Sequence, residues 1–389
     1  MSEITVRRVC DTLWAPGAGG TFFAKNSDRP DGELQLIEAL PPRPPGRTLR
    51  TQHLEIPDRG AQAVLGSRPR WMWGLEHGVN EHGVAVGNEK LWTAEDPRSA
   101  PDALTGMELV RLCLEGATSA SHGVDLLSQL IEAHGQGGVC DESGDRYFSS
   151  FLVADSEESW VVETMGRQWV ATPSRTATAI SNRFTLGTDW TTGSAGVPPG
   201  TDVSARWSHP SVPTGHADRR LAASRRAVTA GPQLADLARH LRDHGDGAGA
   251  ASPPPTTFNS DGEGVTVCMH LPGYMHTAAA MIAYLPAGGR PRAWVAPGSP
   301  CVSVFLPALV PDQLPGGLGD PALHQRMAAL RQLVETAPEH LPNVRAQLDP
   351  LEATLWQEAE AAADDVNAWE AMCRSAADRL VETLDDLGA

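Results

Sequence analysis

Lysine is almost missing from this chain. Of its 31 basic residues only Lys25 and Lys90 are lysines. A compact, tunable ammonium is thus kept at two places, and arginine's rigid fork serves everywhere else. No Cys-x-x-Cys pair occurs among Cys10, Cys113, Cys140, Cys268, Cys301 and Cys373. Such scatter over 389 residues argues against a disulfide framework and for reduced thiols. No apolar run approaches the ~20 residues of a membrane span, and residues 1–9 lack the apolar centre of a signal peptide. Positive charge is short overall, and a formal net charge of −17 argues against nucleic acid or an anionic membrane surface as a partner. These absences point to a soluble, cytoplasmic protein. No internal repeat appears, and the glycines of segment 71–93 are not followed by Gly-Lys-Ser/Thr, which excludes a phosphate loop.

What is present is concentrated in segment 10–30. Two apolar runs flank Pro16-Gly-Ala-Gly-Gly20, the pattern of a β-hairpin. Its second strand would return antiparallel and lay Lys25, Asn26 and Asp28 beside Cys10. Only nine residues precede Cys10. Their removal would leave thiol and α-amine on one residue, and an α-amine titrating near ~7.7–8.0 can take the thiol proton. Beside that ammonium and Lys25, Cys10 is expected to be partly thiolate at neutral pH, where a free cysteine with pKa ~8.5 is only slightly ionised.

Further on, segments 48–56 and 62–66 read as strands, with a Pro-rich spacer at 41–45 before them. A turn at 80–83 precedes an apolar strand that leads to Asn88. Apolar residues at helical spacing predict helices over 106–116 and 119–133. Short strand-like runs follow at 150–154, 159–163, 168–171 and 176–181, the last delivering Asn182; their length and turns suggest antiparallel pairing. Segment 193–215 reads as a long surface loop, 218–226 as a basic helix face and 245–257 as a second linker. Strands are expected at 264–270, 276–285, 292–296 and 301–306. Beyond Asp320 two long amphipathic helices are expected. That tail holds fourteen Asp or Glu against five Arg, more than half of the net negative charge. Cys268, His270 and His276 would make a poor metal trio, because two of them share a two-residue step on one strand.

Several ordered blocks resemble the secernin and dipeptidase A family of N-terminal-nucleophile cysteine hydrolases. They include Cys10-Asp-Thr, Lys25-Asn-Ser-Asp-Arg-Pro30, Gly78-Val-Asn-Glu-His-Gly83, Gly87-Asn-Glu89, Trp160-Val-Val-Glu-Thr164, Ile180-Ser-Asn182, Cys268-Met-His270 and Gly298-Ser-Pro-Cys301. The resemblance implies an α+β fold, a four-layer αββα sandwich of two antiparallel sheets with a C-terminal helical extension. It divides the chain into a propeptide (1–9), a catalytic domain (10–310) and an acidic helical extension (320–389).

The same resemblance implies self-cleavage before Cys10 and hydrolysis of small peptide amides through a thioester, with no cofactor and no metal. Comparison with choloylglycine-hydrolase-like relatives implies that Lys25 flanks the nucleophile and that Asp28 holds the α-amine. Asn88 would form the oxyanion hole, Asn182 would orient the cysteine, and Arg219, or else Arg220, would complete the site. The substrate implied is a small peptide or amide, with homo-oligomerisation left open. An acylase or acyltransferase, or a catalytically silent interaction protein that keeps residues 1–9, is the alternative.

Overall fold

A turn at Ala18-Gly19 starts the architecture. Gly19 sits at φ +73°, where a side chain would be strained, and folds β1 (Asp11–Gly17) onto β2 (Gly20–Pro30). Thr12 pairs with Lys25 and Leu13 with Ala24, the hairpin expected from the sequence. The computed structural model describes residues 10–229, 231–259 and 261–388. The segment read as a propeptide lies outside the described residues.

After β3 (Gln35–Leu40), the segment read as one strand divides into a small ribbon of β4 (Thr48–Arg50) and β5 (Glu55–Pro57). The chain continues through β6 (Val64–Pro69), β7 (His77–Asn80) and β8 (Ala85–Leu91). Helix α1 (Gly106–Gly116) starts at a capping box of Thr105 and Glu108, and α2 (Ala120–His134) at a Ser119 cap. Four antiparallel strands follow as expected, β9 (Phe148–Ala154), β10 (Ser159–Met165), β11 (Gln168–Ser174) and β12 (Thr178–Ile180), and then the short β13 (Thr192–Gly193).

The stretch read as a surface loop carries α3 (Val203–Trp207), whose Val203 and Trp207 are fully buried against Phe184 and Leu91. Helix α4 (Gly215–Thr229) holds the basic cluster. Helix α5 (Leu234–Leu241) was not anticipated, although Leu234, Leu237, Ala238 and Leu241 carry the i, i+3, i+4, i+7 signature. Of the strand expected at 264–270 only its end forms, as β14 (His270–Leu271) against β15 (Met275–Pro286). β16 (Arg292–Pro297) follows; Cys301 then lies in a single 3-10 turn, and the strand expected there begins later, as β17 (Leu306–Leu309). Three helices, not two, close the chain: α6 (Pro321–Thr336), α7 (Leu341–Ala362) and α8 (Val366–Asp386).

Among the described residues two antiparallel sheets run β12-β1-β2-β15-β16-β17, with β14 on β15, and β13-β11-β10-β9-β8-β7-β6-β3. Strand alternation assigns each face. Trp14, Phe23 and Met281 of the first sheet meet Leu65, Val79, Ala85 and Leu152 of the second between the sheets. On the far face of the first sheet Leu13, Ala24 and Ile282 pack on Leu221 of α4 and on Leu237 and Leu241 of α5. On the far face of the second, Val84, Val86, Phe151 and Val153 pack on α1 and α2. This is a four-layer αββα sandwich, as the resemblance implied. The C-terminal helices join the core around β16 and β17, and a buried pair of hydrogen bonds from Arg242 to Glu352 of α7 (2.9 and 2.5 Å) fastens them below α5.

The sheets approach each other closely at Gly87, where a Cβ would stand 2.7 Å from Lys25 Cδ and 3.0 Å from Thr12 Oγ1. Lys25 is fully buried with its ammonium fixed, so it cannot swing away. Gly87→Ala should therefore cost about 1–3 kcal/mol of stability, read as a lower urea midpoint at unchanged slope. An unchanged midpoint would show that the layers can spread.

Candidate active site

The hairpin register carries Cys10 to the end of β1, under the return of β2. Its Sγ accepts the Asp28 backbone N–H at 3.3 Å. Its own N–H donates to Asn182 Oδ1 at 2.6 Å, and its carbonyl accepts from Arg220 at 3.1 Å. Asn182 follows β12, the strand that pairs with β1, so sheet pairing itself delivers it. Its amide nitrogen donates to the Lys90 carbonyl at 3.0 Å, which locks the side chain.

Asp28 is held from the opposite side. Thr277 of β15 donates to its Oδ1 at 2.6 Å, while Oδ2 is buried without a hydrogen-bond partner. Burial pushes the Asp28 carboxyl up to about 8, against the pull of Arg220 and Thr277. Burial likewise pushes the Cys10 thiol up to about 12; Lys25 opposes the shift, and Asp28, Glu76 and Glu89 reinforce it. Cys10 is only 7% exposed. In the intact chain burial thus disfavours the thiolate; the partly ionised state expected from sequence belongs to a Cys10 whose α-amine is free.

Lys25 faces the layer between the sheets. Its Nζ donates to the Asn88 carbonyl at 2.7 Å and to Glu89 Oε1 at 3.1 Å, an oxygen that also accepts from Thr12. Burial alone would lower the Lys25 pKa, yet Cys10, Glu89 and Glu76 outweigh it and hold the ammonium above the usual lysine range. Asn88 does not stand where an oxyanion donor was expected. Gly87 and Glu89 face the first sheet, so period-two alternation turns Asn88 to the other face of β8. With its amide set to match donors to acceptors, its nitrogen donates to the Glu76 carbonyl (3.0 Å) and carboxylate (3.2 Å). What reaches the site is its carbonyl, through Lys25.

The arginine also differs from the first expectation. Arg220, fully buried, donates to Cys10 O, to Asp11 Oδ2 at 2.5 Å and to Asn182 Oδ1 at 2.9 Å. Arg219, one residue earlier on α4 and so about 100° around the helix, is exposed. Sequence could not choose between neighbours, because the phase of α4 is set by Ala217, Leu221 and Ser224 turning inward.

Residues 66–188 match the family model for peptidase family C69, the dipeptidase A and secernin family. The resemblance read from the motifs is borne out. Among solved structures, a variant of conjugated bile acid hydrolase from Clostridium perfringens is 15% identical, covers 73% of this chain and 88% of its own, and has a TM-score of 0.40. Penicillin V acylase from Agrobacterium tumefaciens is 13% identical, with 80% and 88% covered and a TM-score of 0.39. The family match supports a cysteine amidohydrolase; its segment contains Asn88 and Asn182 but neither Cys10 nor Arg220.

Beside the thiol site a cavity of about 920 Å³ opens along α4 and segment 252–267. Arg220 forms part of its wall and links it to Cys10. Its lining includes the basic Arg219 and Arg226 as well as the acidic Asp243, Asp246 and Glu263.

A second group of reactive side chains lies behind Asp28. His244, Cys268, His270 and Cys301 bring one donor atom each to within 4.8 Å of one another, all buried. His276, considered with Cys268 and His270 from sequence, is not among them; its Nδ1 lies 3.9 Å from Asp31 instead. His244 and Cys301 stand 24 and 31 residues from Cys268 and His270, so no local spacing could have announced the group.

The raised Asp28 carboxyl makes a pH prediction. Unfolded, it ionises near ~3.9, so between there and about 8 the folded chain binds the extra proton and loses stability as pH rises. In a Cys10→Ala background, which removes the thiol's own titration, Asp28→Asn should raise Tm above pH 8 and gain little near pH 4. A Tm difference independent of pH would contradict the buried, strained carboxyl.

Proposed function

We propose that this chain is an N-terminal-cysteine amidohydrolase that cleaves dipeptides or comparably small amides, and that it forms by its own cleavage between Val9 and Cys10. One observation carries the reading: a buried carboxylate oxygen, Asp28 Oδ2, lies beside the thiol site without a donor. In the intact chain Cys10 offers a single N–H, already given to Asn182. A freed α-ammonium would bring further protons to this carboxyl and favour its ionised form.

The chemistry needs only this chain's residues. In the precursor the Cys10 thiol attacks the Val9 carbonyl; the C–N bond breaks to a thioester, the α-amine is freed, and water hydrolyses the thioester to release residues 1–9. In the mature enzyme the α-amine takes the thiol proton and the thiolate attacks the substrate amide. The buried cations Lys25 and Arg220 offset the negative charge that develops. The ammonium then protonates the leaving amine, and water resolves the acyl-enzyme.

A free dipeptide carries a carboxylate and an ammonium. The cavity beside Arg220 offers Arg219 and Arg226 for the first, and Asp243 and Glu263 for the second. Arg219 thus serves substrate binding and not the thiol.

Two variants test the proposal against free dipeptides. Cys10→Ala should abolish hydrolysis, while Arg219→Ala should raise KM by roughly tenfold with kcat nearly kept, since it removes a charged contact made in ground and transition states alike. Dipeptide hydrolysis by Cys10→Ala would overturn the assignment of the nucleophile. An unchanged KM for Arg219→Ala would remove the cavity from the substrate path.

A further inference from the structure

The cluster behind Asp28 has the composition and geometry of a closed metal site. Two sulfurs and two imidazole nitrogens converge from three stretches of chain: His244 just after α5, Cys268 and His270 leading into β14, and Cys301 in the 3-10 turn before β17. His270 Nε2 lies 3.5 Å from Cys268 Sγ and 3.2 Å from Cys301 Sγ. A tetrahedral ion with bonds of ~2.3 Å to sulfur and ~2.0–2.1 Å to nitrogen sets sulfur–nitrogen edges of roughly 3.5 Å.

The outer contacts point the same way. His270 Nδ1 is 3.0 Å from Glu335 Oε1, and His244 Nδ1 is 2.6 Å from the Ser252 carbonyl. Each histidine thus spends its far nitrogen on an outer acceptor and turns Nε2 inward with its lone pair, the arrangement that orients metal-ligating histidines. Nε2 of His244 is buried against Cys301 without a well-formed hydrogen bond. We propose that His244, Cys268, His270 and Cys301 hold a structural zinc ion. Two thiolates with two imidazoles in tetrahedral array favour zinc, and four protein ligands leave no open position for catalysis.

A Cys301–His270 pair acting as a second nucleophile fits less well. Cys268 and Cys301 have no exposed surface, so no substrate reaches them, and such a pair leaves Cys268 and His244 without a purpose. The ion would instead tie the turn at Cys301 and segment 244–270 together beneath the thiol site. Met269, between two of the ligands, donates its N–H to Thr277 Oγ1 at 2.8 Å, and Thr277 donates to Asp28. The cluster therefore braces the residue that holds Asp28.

Elemental analysis of the untagged full-length chain, grown with added zinc, tests this. About one zinc per chain is expected, falling below roughly a tenth in Cys268→Ser and Cys301→Ser. Because losing a ligand also disturbs packing, His244→Cys, which keeps four donors, should retain the ion. Cobalt added to the metal-free wild type should give the strong visible bands of tetrahedral thiolate ligation. Cys10→Ala should bind zinc like the wild type, so the outcome is separable from that of the proposed hydrolase activity. Folded wild type that contains no zinc and takes up neither zinc nor cobalt would overturn the proposal. So would rapid alkylation of native Cys301 that added zinc does not slow.

Discussion

The register of the first hairpin fixes everything around the thiol. With Thr12 opposite Lys25, the side chains of both face the layer between the sheets and meet Glu89 of the second sheet there. A slip by one residue would send Lys25 to the α4–α5 face and Phe22 or Ala24 into the polar layer. Leu13, Ala24 and Ile282 on one face, with Trp14, Phe23 and Met281 on the other, make such a slip prohibitive, because every apolar side chain would leave its cluster at once. Register is thus set by hydrophobic packing, and the polar site inherits its geometry from it.

A second constraint is the density of buried charge near that layer. Lys25 with Glu89, Arg220 with Asp11, and Arg29 with Glu33 and Glu76 are all shielded from water. Buried ion pairs recover little or no net stability after desolvation, but a pair with one partner missing is strongly unfavourable. Their effect here is selective: any arrangement of the two sheets that separates partners strands a charge. The site contains one such strain as it stands, in the Asp28 carboxyl. Fold and site are therefore in tension at Asp28, and a new cation beside it would relieve that tension.

The layers and the hairpin were legible in the sequence because they rest on periodicity and local turn chemistry. Gly19 at its turn, the Thr105–Glu108 cap and the short alternating strands all act over a few residues. What failed to show depends on long-range context. Asn88 lies within its strand, and which face it turned to followed from the packing of the second sheet. Arg219 and Arg220 are indistinguishable until α4 docks. Trp207, the largest side chain of a Pro- and Gly-rich stretch, was the one overlooked sign that this stretch packs. The sequence shows the cation beside Cys10 but not the loss of water around its thiol, which opposes that cation in the intact chain.

Fold and site meet at the backbone nitrogen of Cys10. Its N–H donates to the Asn182 oxygen at 2.6 Å, and Oδ2 of Asp28, whose backbone N–H binds the thiol, is buried without a partner. The most direct measurement is the intact mass of the protein, made without an N-terminal tag and assayed for dipeptide hydrolysis in the same preparation. The account predicts an active species whose first residue is Cys10. A fully active species that retains Met1 to Val9 would contradict it.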